Sequence, residues 1–148
     1  MSKQMKIGSF IMMGMSIFAL VISILWLLVT DIMFVSDFYV FTGTTYADYL
    51  ISDPVFAEFY IITKKLVGLV LCIASLQMLI VSKVGFEKGE RWSWFTLLIT
   101  GGLFWGVLLG YRAFIGYLGG STITFVVGII LWILALLVPI REFFPKET

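Results

Sequence analysis

The sequence predicts an all-α membrane protein, a four-transmembrane-helix up-down-up-down bundle with a long aromatic outer loop between helices 1 and 2. Composition is the first reason. Of 148 residues, 61% are hydrophobic and only 13% are charged, whereas a soluble domain is about half apolar and about one quarter charged. The second reason is that four segments are free of charge over about the 20 residues that a helix needs to cross a bilayer.

The predicted spans cover residues 7–29, 60–82, 92–111 and 121–140, and the outer loop covers residues 30–59. They account for most of the chain, which we interpret as a single integral membrane domain over residues 1–148. The first span follows Lys3 and Lys6. Its apolar stretch is too long for a signal peptide and no small-residue cleavage site follows it, so we expect an uncleaved anchor.

Positively charged residues beside the spans predict the orientation, because cytoplasmic flanks are enriched in lysine and arginine. One side has seven of these residues and the other has three. The seven are Lys3, Lys6, Lys83, Lys88, Arg91, Arg141 and Lys146, and the three are Lys64, Lys65 and Arg112. We therefore expect a multi-pass protein of the cell membrane with its N- and C-termini in the cytoplasm.

The predicted outer loop is rich in aromatic side chains, with nine phenylalanines and tyrosines between Phe34 and Tyr60. Such a segment is expected to bury itself on the bundle or at the headgroups. Residues 42–45 are turn-like and separate two short apolar stretches, which predicts a small β-hairpin. Asp53 and Pro54 indicate a helix start, with Asp53 as the N-cap, and this helix is expected to continue into the second span.

Small residues recur at helical spacing in the spans, and their close approach promotes helix association in lipid. The residues expected at helix contacts are Gly68, Gly102, Gly106, Gly110, Gly120 and Gly128. These stripes indicate either packing within the bundle or a contact between copies. Gln77 is expected to hydrogen-bond between helices, because its amide needs partners in the membrane. Trp92 and Trp94 follow a basic residue, and we interpret them as anchors at the membrane interface.

Four charged residues are expected together at the outer end of the bundle. Asp31 ends the first span, Arg112 ends the third, and Glu58 and Lys65 lie near the start of the second. Pairs such as Asp31–Arg112 or Glu58–Lys65 would close this end. They are either solvated interfacial charges or a polar vestibule that binds a ligand beneath the aromatic loop. Aromatic faces beside carboxylates suit a cationic or amphipathic ligand.

The composition also argues against several kinds of site and function. With no histidine and one cysteine, Cys72, the chain lacks an intrachain disulfide and the usual ligands of zinc or haem. A net charge of +1 offers no basic surface for nucleic acid. No charge-free core holds the ionisable residue that an ion-coupled carrier keeps, and no catalytic motif is present. We therefore predict no enzyme activity, no cofactor and no metal.

A short motif connects the chain to a known group. Pro54 precedes the second span, Gly68 lies early in it, and the third span begins with Gly-Glu-Arg-Trp-Ser-Trp over residues 89–94. Together with the aromatic outer loop, residues 50–110 resemble the small prokaryotic four-span proteins that include the DoxX-like families. The resemblance implies a four-span fold and carries over no catalytic residue.

Two functions follow as hypotheses. The first is a non-catalytic integral membrane protein that acts through helix–helix contacts, as a subunit or accessory of a membrane assembly. Its partners would be the lipid bilayer and other membrane subunits or a second copy. The alternative is a small-molecule or lipid binder or carrier, with its site under the outer loop near Asp31, Glu58, Lys65 and Arg112.

Overall fold

The computed structural model describes residues 2–116 and 120–145, of which 88% are helical and none is in a strand. The predicted all-α class is confirmed. In chain order the helices are α1 (Lys3–Leu28), α2 (Thr30–Met33), α3 (Val35–Thr42), α4 (Tyr46–Ser52), α5 (Pro54–Val84), α6 (Arg91–Phe114), α7 (Gly120–Leu137) and α8 (Ile140–Phe143). Lys146, which contributed to the predicted orientation, lies outside the described residues.

Three helices, α1, α5 and α6, are long and apolar enough to cross a membrane. Helix α7 is apolar but shorter, with 18 residues. The fourth predicted span, residues 121–140, extends three residues beyond the end of this helix. Helix α7 ends at Leu137 because Pro139 follows, and proline cannot donate the backbone hydrogen bond that would continue the helix.

The predicted β-hairpin in the aromatic segment is wrong, because this segment folds into the short helices α2, α3 and α4. Gly43 ends α3 in the left-handed conformation, with φ of 74°. The Thr45 hydroxyl then accepts a hydrogen bond from the Asp48 amide at 3.2 Å and caps α4. The predicted start of α5 is confirmed, since the Asp53 carboxylate accepts a hydrogen bond from the Phe56 amide at 3.1 Å.

Helix α1 packs mainly on α5, and small residues bring the two backbones together. A Cβ atom added at Gly68 would lie 3.1 Å from the Leu27 backbone nitrogen. About two turns beyond Gly68 on α5, the hydroxyl of Ser75 lies 3.4 Å from that of Ser23 on α1, and each also donates to its own helix. Gly68 therefore lies in a close helix–helix contact, as its predicted role requires.

Helices α6 and α7 contact each other through glycine and tryptophan. Gly128 of α7 faces Trp105, whose ring would lie 2.6 Å from an added Cβ atom. Gly101 of α6 makes room for Trp132 in the same way, and Trp132 also donates a hydrogen bond to the Leu97 carbonyl at 3.2 Å. In addition, α1 contacts α7 and α5 contacts α6. These contacts bring the C-terminal part of α6 beside α5.

The remaining glycines of the predicted stripes lie elsewhere. Gly102 only touches the outer edge of the Trp132 ring, with 3.5 Å between an added Cβ and Cη2. Gly106 and Gly110 are exposed, and nothing lies within 4 Å of a Cβ added at either. Gly120 is the first residue of α7.

Candidate functional site

A buried ion pair connects α3 to the end of α6. Arg112, in the last turn of α6, donates a hydrogen bond from Nη1 to Oδ1 of Asp37 at 2.6 Å. Asp37 is 1% exposed and Arg112 is 7% exposed. Removing two charges from water costs several kcal/mol, so a buried pair is stable only when hydrogen bonds satisfy the atoms around it.

Only one of the two carboxylate oxygens of Asp37 is satisfied in this way. Oδ2 is buried and has no hydrogen-bond partner among the described residues. The Tyr111 hydroxyl lies near this carboxylate and near Tyr60. A buried acceptor without a donor costs about 1–3 kcal/mol. The Tyr111 hydroxyl is the neighbouring donor that can satisfy this oxygen.

The Lys64 ammonium group lies beside the pair and is held by aromatic rings. Its Nζ atom is 3.7 Å from the centre of the Tyr111 ring, 5.0 Å from Phe34 and 5.2 Å from Tyr60. Cations are attracted to the negative face of such rings. Within the described ranges no hydrogen bond or ion pair to Nζ is found. Lys64 thus brings a second positive charge that no carboxylate neutralises directly.

A cavity of about 240 Å³ opens onto these groups and is lined by Asp37, Lys64, Tyr60 and Tyr111. Its remaining wall is mostly aromatic, with Phe38, Phe41, Phe56 and Phe114. Phe38 is 1% exposed and makes edge-on contacts with Tyr49 and Tyr60, each at 5.0 Å between ring centres. The aromatic residues of α3 and α4 thus form a cap over a cavity whose wall is mostly apolar.

An apolar groove follows the cavity along the same two helices. It has a volume of about 550 Å³ and lies between α5 and α6. Val67, one turn after Lys64, lines it from α5, and Val107, one turn before Tyr111, lines it from α6. The groove reaches Gln77 at its far end, about 20 Å from Lys64 at 1.5 Å per helical residue.

Of the four predicted vestibule residues, the structure brings only Arg112 into this cluster. Asp31, Glu58 and Lys65 are exposed. The predicted Asp31–Arg112 pair is wrong, because α3 turns inward and places Asp37 against Arg112 instead. Asp31 and Glu58 lie outside the cap, near Tyr46. Burial raises the pKa of the Tyr46 phenol, and the negative charges of Asp31 and, to a smaller extent, Glu58 raise it further.

The sequence contained a signal for the two residues that were missed, Asp37 and Lys64. Asp37 lies three residues after Phe34 and one before Phe38, which places all three on one face of a helix. Lys64 lies four residues before Gly68, on the face that packs inward, whereas Lys65 points outward. Both signals require the segment to be recognised as helical first.

The other predicted residues, Gln77, Trp92 and Trp94, are exposed or half-buried. Gln77 is exposed on α5 and lines the groove, and no hydrogen bond to its side chain occurs in the described part of the chain. The expected bond to another helix does not form, because Ser75 faces α1 and Gln77 points about 200° away from it. Trp94 is half-buried and donates to the Leu136 carbonyl at 3.0 Å, and exposed Trp92 donates to Glu90.

The structure thus combines three helices that are long and apolar enough to cross a membrane with an aromatic-lined cavity near one end of them. Comparison with protein-family models, curated proteins and solved structures found no match. The resemblance of residues 50–110 to the DoxX-like group therefore stays a prediction.

Proposed function

We propose that the protein binds an amphipathic small molecule or lipid, with its polar group in the cavity beneath α3 and α4. One observation carries the proposal. A cavity with a mostly aromatic wall is also lined by Lys64, whose ammonium group is held only by rings among the described residues. The wall suits the apolar part of a ligand, and the ammonium group is a donor for its polar part. The proposal assigns these residues a binding role and no catalytic one.

A purely structural role for the cluster would be to hold α3 on α6. The Arg112–Asp37 bond alone suffices for that role. It does not require Lys64, whose removal from water opposes folding. Groups that oppose stability are commonly kept where function needs them. The position of Lys64 on the wall of the cavity is what supports binding.

We also propose that α7 is a fourth span, which completes an up-down-up-down bundle with both termini in the cytoplasm. The contacts of α7 with both α1 and α6 support this arrangement. The seven positive residues on one side against three on the other support the orientation. The cavity would then lie at the outer end of the bundle.

The test is native mass spectrometry of the full chain released gently from its own membrane. We expect the chain to carry a bound mass that corresponds to a small molecule or a lipid. Phe41→Ala removes an exposed part of the cavity wall and should lower the occupied fraction. Tyr39→Ala is the matched control, because Tyr39 is similarly exposed on α3 but does not line the cavity. A bare chain under all release conditions would contradict the proposal.

The assembly function remains a second candidate, supported by a different observation. Gly106 and Gly110 lie one turn apart on the exposed face of α6, with open space around both. Glycines so arranged allow a second helix to approach closely in lipid. Gly106→Ile should then abolish any larger species seen in mild detergent. If the species keeps its mass, this face of α6 is not the contact.

A further inference from the structure

We propose that the groove between α5 and α6 is the contact surface for a second copy of the chain, with the two Gln77 side chains paired across a two-fold axis. The exposed ridge of α5 that borders the groove would pack into the groove of the other copy. This contact does not depend on ligand binding beneath α3 and α4. It also lies on a different face of the molecule from Gly106 and Gly110, which do not line the groove.

Two polar side chains line the far end of this groove without a hydrogen bond. Gln77 comes from α5 and Thr100 comes from α6. In the part of the chain that the structure describes, neither side chain forms a hydrogen bond. By contrast, the hydroxyl of Thr96, one turn before Thr100, donates to the Trp92 carbonyl of its own helix at 2.9 Å. The groove therefore offers donors and acceptors that the described fold does not use.

Both side chains lie at the same depth along the bundle, well inside its apolar part. Helices α5 and α6 come together at Gly85, where an added Cβ atom would lie 2.7 Å from Cβ of Ser93. Gln77 lies eight residues before Gly85, and Thr100 lies seven residues after Ser93. These separations correspond to about 12 Å and about 11 Å along the two helices. A polar group that faces lipid at such a depth without a partner raises the free energy, so we expect a partner there.

A second copy supplies this partner at the required depth. All copies insert in the same orientation, because the same flanking charges direct each of them. A two-fold axis along the membrane normal then places identical residues of two copies at identical depth. A primary amide has donors and an acceptor, so Gln77 can pair with its own counterpart. The Thr100 hydroxyl, at the same depth, is a further partner for these amides.

The shape of the groove suits a helix better than a lipid. Leu71 and Phe104 are buried and form its floor, whereas Val70 and Leu103 are exposed and form its two edges. The polar groups of a lipid lie outside the hydrocarbon core, and an acyl chain has neither a donor nor an acceptor. A helix, by contrast, can hold a polar side chain at any depth.

The exposed ridge of α5 has the spacing of a parallel helix pair. Its members follow one another at alternating intervals of four and three residues, and they are Leu66, Val70, Ile73, Gln77 and Ile80. The four apolar members are between 58% and 64% exposed. Two parallel helices pack along such a heptad seam, and a single polar residue in the seam fixes their register. Gln77 is the polar residue of this ridge.

The first experiment is disulfide cross-linking of the full chain in its own membrane, in a Cys72→Ser background. Ile73→Cys places a thiol on the ridge and keeps Gln77. Two cysteines form a disulfide only when their Cα atoms approach within about 7 Å, so an added oxidant should give a cross-linked dimer. Val126→Cys is the matched control, because Val126 is also exposed and each residue lies eleven positions before the end of its helix. It should give no cross-link.

The second experiment measures the dimer fraction of the full chain in mild detergent by native mass spectrometry over a range of concentrations. Gln77→Leu keeps the size of the side chain and should raise the dissociation constant of the dimer about tenfold, while Gln77→Asn should restore it. Thr100→Val should raise the dissociation constant about threefold. Thr96→Val is its matched control and should leave the constant unchanged, because the Thr96 hydroxyl bonds to its own helix.

Three outcomes would overturn the inference. A cross-link at Gly106→Cys but not at Ile73→Cys would place the contact on the outer face of α6. A cross-link only between Ile73→Cys and a different protein would mean that the groove accepts another partner. A chain that stays monomeric and gives no cross-link would show that the groove does not bind a second copy. None of these results bears on ligand binding beneath α3 and α4, which the bound mass tests separately.

Discussion

The two ends of the long helices use charged residues in opposite ways. At the end formed by α3, α5 and α6, Asp37 and Arg112 are almost fully buried and pair at 2.6 Å. At the other end, Lys83 and Glu87 pair at 2.9 Å with side chains that are 65% and 27% exposed. Exposed pairs contribute about 0–1 kcal/mol, whereas breaking a buried pair costs several.

The difference also concerns what is left unsatisfied. The exposed pair leaves its remaining polar atoms to the solvent or the headgroups. The buried cluster holds the Lys64 ammonium against aromatic rings, with no hydrogen bond to it among the described residues. An end that only stabilised the fold would have no use for such a group. This contrast distinguishes a candidate binding site from ordinary interfacial charge.

Removing Asp37 should have the largest effect on stability. Asp37→Ala leaves the Arg112 charge buried beside Lys64, which should lower the free energy of unfolding by about 3–5 kcal/mol. Asp31→Ala, an exposed aspartate in the same segment, should change it by about 0.5 kcal/mol or less. Denaturation in mixed micelles gives both values. A loss at Asp37 no larger than at Asp31 would remove the distinction between the two ends.

The sequence predicted the helices better than it predicted the site. Charge-free runs of about 20 residues specify membrane-length helices on their own, and Asp53-Pro54 marked the start of α5. The stretches 38–41 and 46–50 are too short for their period to separate strand from helix. The hairpin predicted there was wrong for this reason, since local capping by Thr45 decides the outcome.

The buried pair depends on a contact 75 residues apart in the chain. Asp31 and Asp37 have the same side chain, so the sequence does not show which of them pairs with Arg112. The path of α2 and α3 decides this. Asp31 is exposed and Asp37 is buried because the chain from α1 through α2 to α3 directs Asp37 inward. Composition and spacing therefore predicted a polar cluster under aromatic residues and one of its members, Arg112, but neither Asp37 nor Lys64.

Arg91 should show the next largest effect, at the opposite end. Its Nε donates to the Phe143 carbonyl at 2.9 Å and ties α8 to the start of α6. Arg91→Gln should lower the free energy of unfolding by about 1 kcal/mol, the contribution of a typical hydrogen bond. Arg141→Gln, an exposed arginine on α8, is the matched control and should have no measurable effect. Equal values would mean that the bond does not hold α8.

Lys64 should behave differently from Arg91 in the protein without ligand. Lys64→Met keeps the apolar stem against the rings and removes an ammonium that is poorly hydrated. Loss of the cation–π contacts and relief from burying the charge oppose each other, so the free energy of unfolding should change by less than about 1 kcal/mol. The same variant should also lower the fraction of the chain that carries a bound mass in native mass spectrometry. A loss of several kcal/mol would make Lys64 a structural residue and weaken the binding proposal.

The smallest effect is expected at the exposed pair, and its salt dependence sharpens the comparison further. Glu87→Gln should lower the free energy of unfolding by about 0.3–0.5 kcal/mol at low ionic strength. The effect should vanish in about 1 M salt, where charges are screened beyond about 3 Å. Lys88→Gln, a neighbouring exposed charge that forms no ion pair in the described structure, should show neither effect. The Asp37→Ala loss should persist in the same salt, because ions do not reach a carboxylate that is 1% exposed. If salt weakened both losses equally, solvent would reach the Asp37–Arg112 pair, and the two ends would differ in geometry but not in burial.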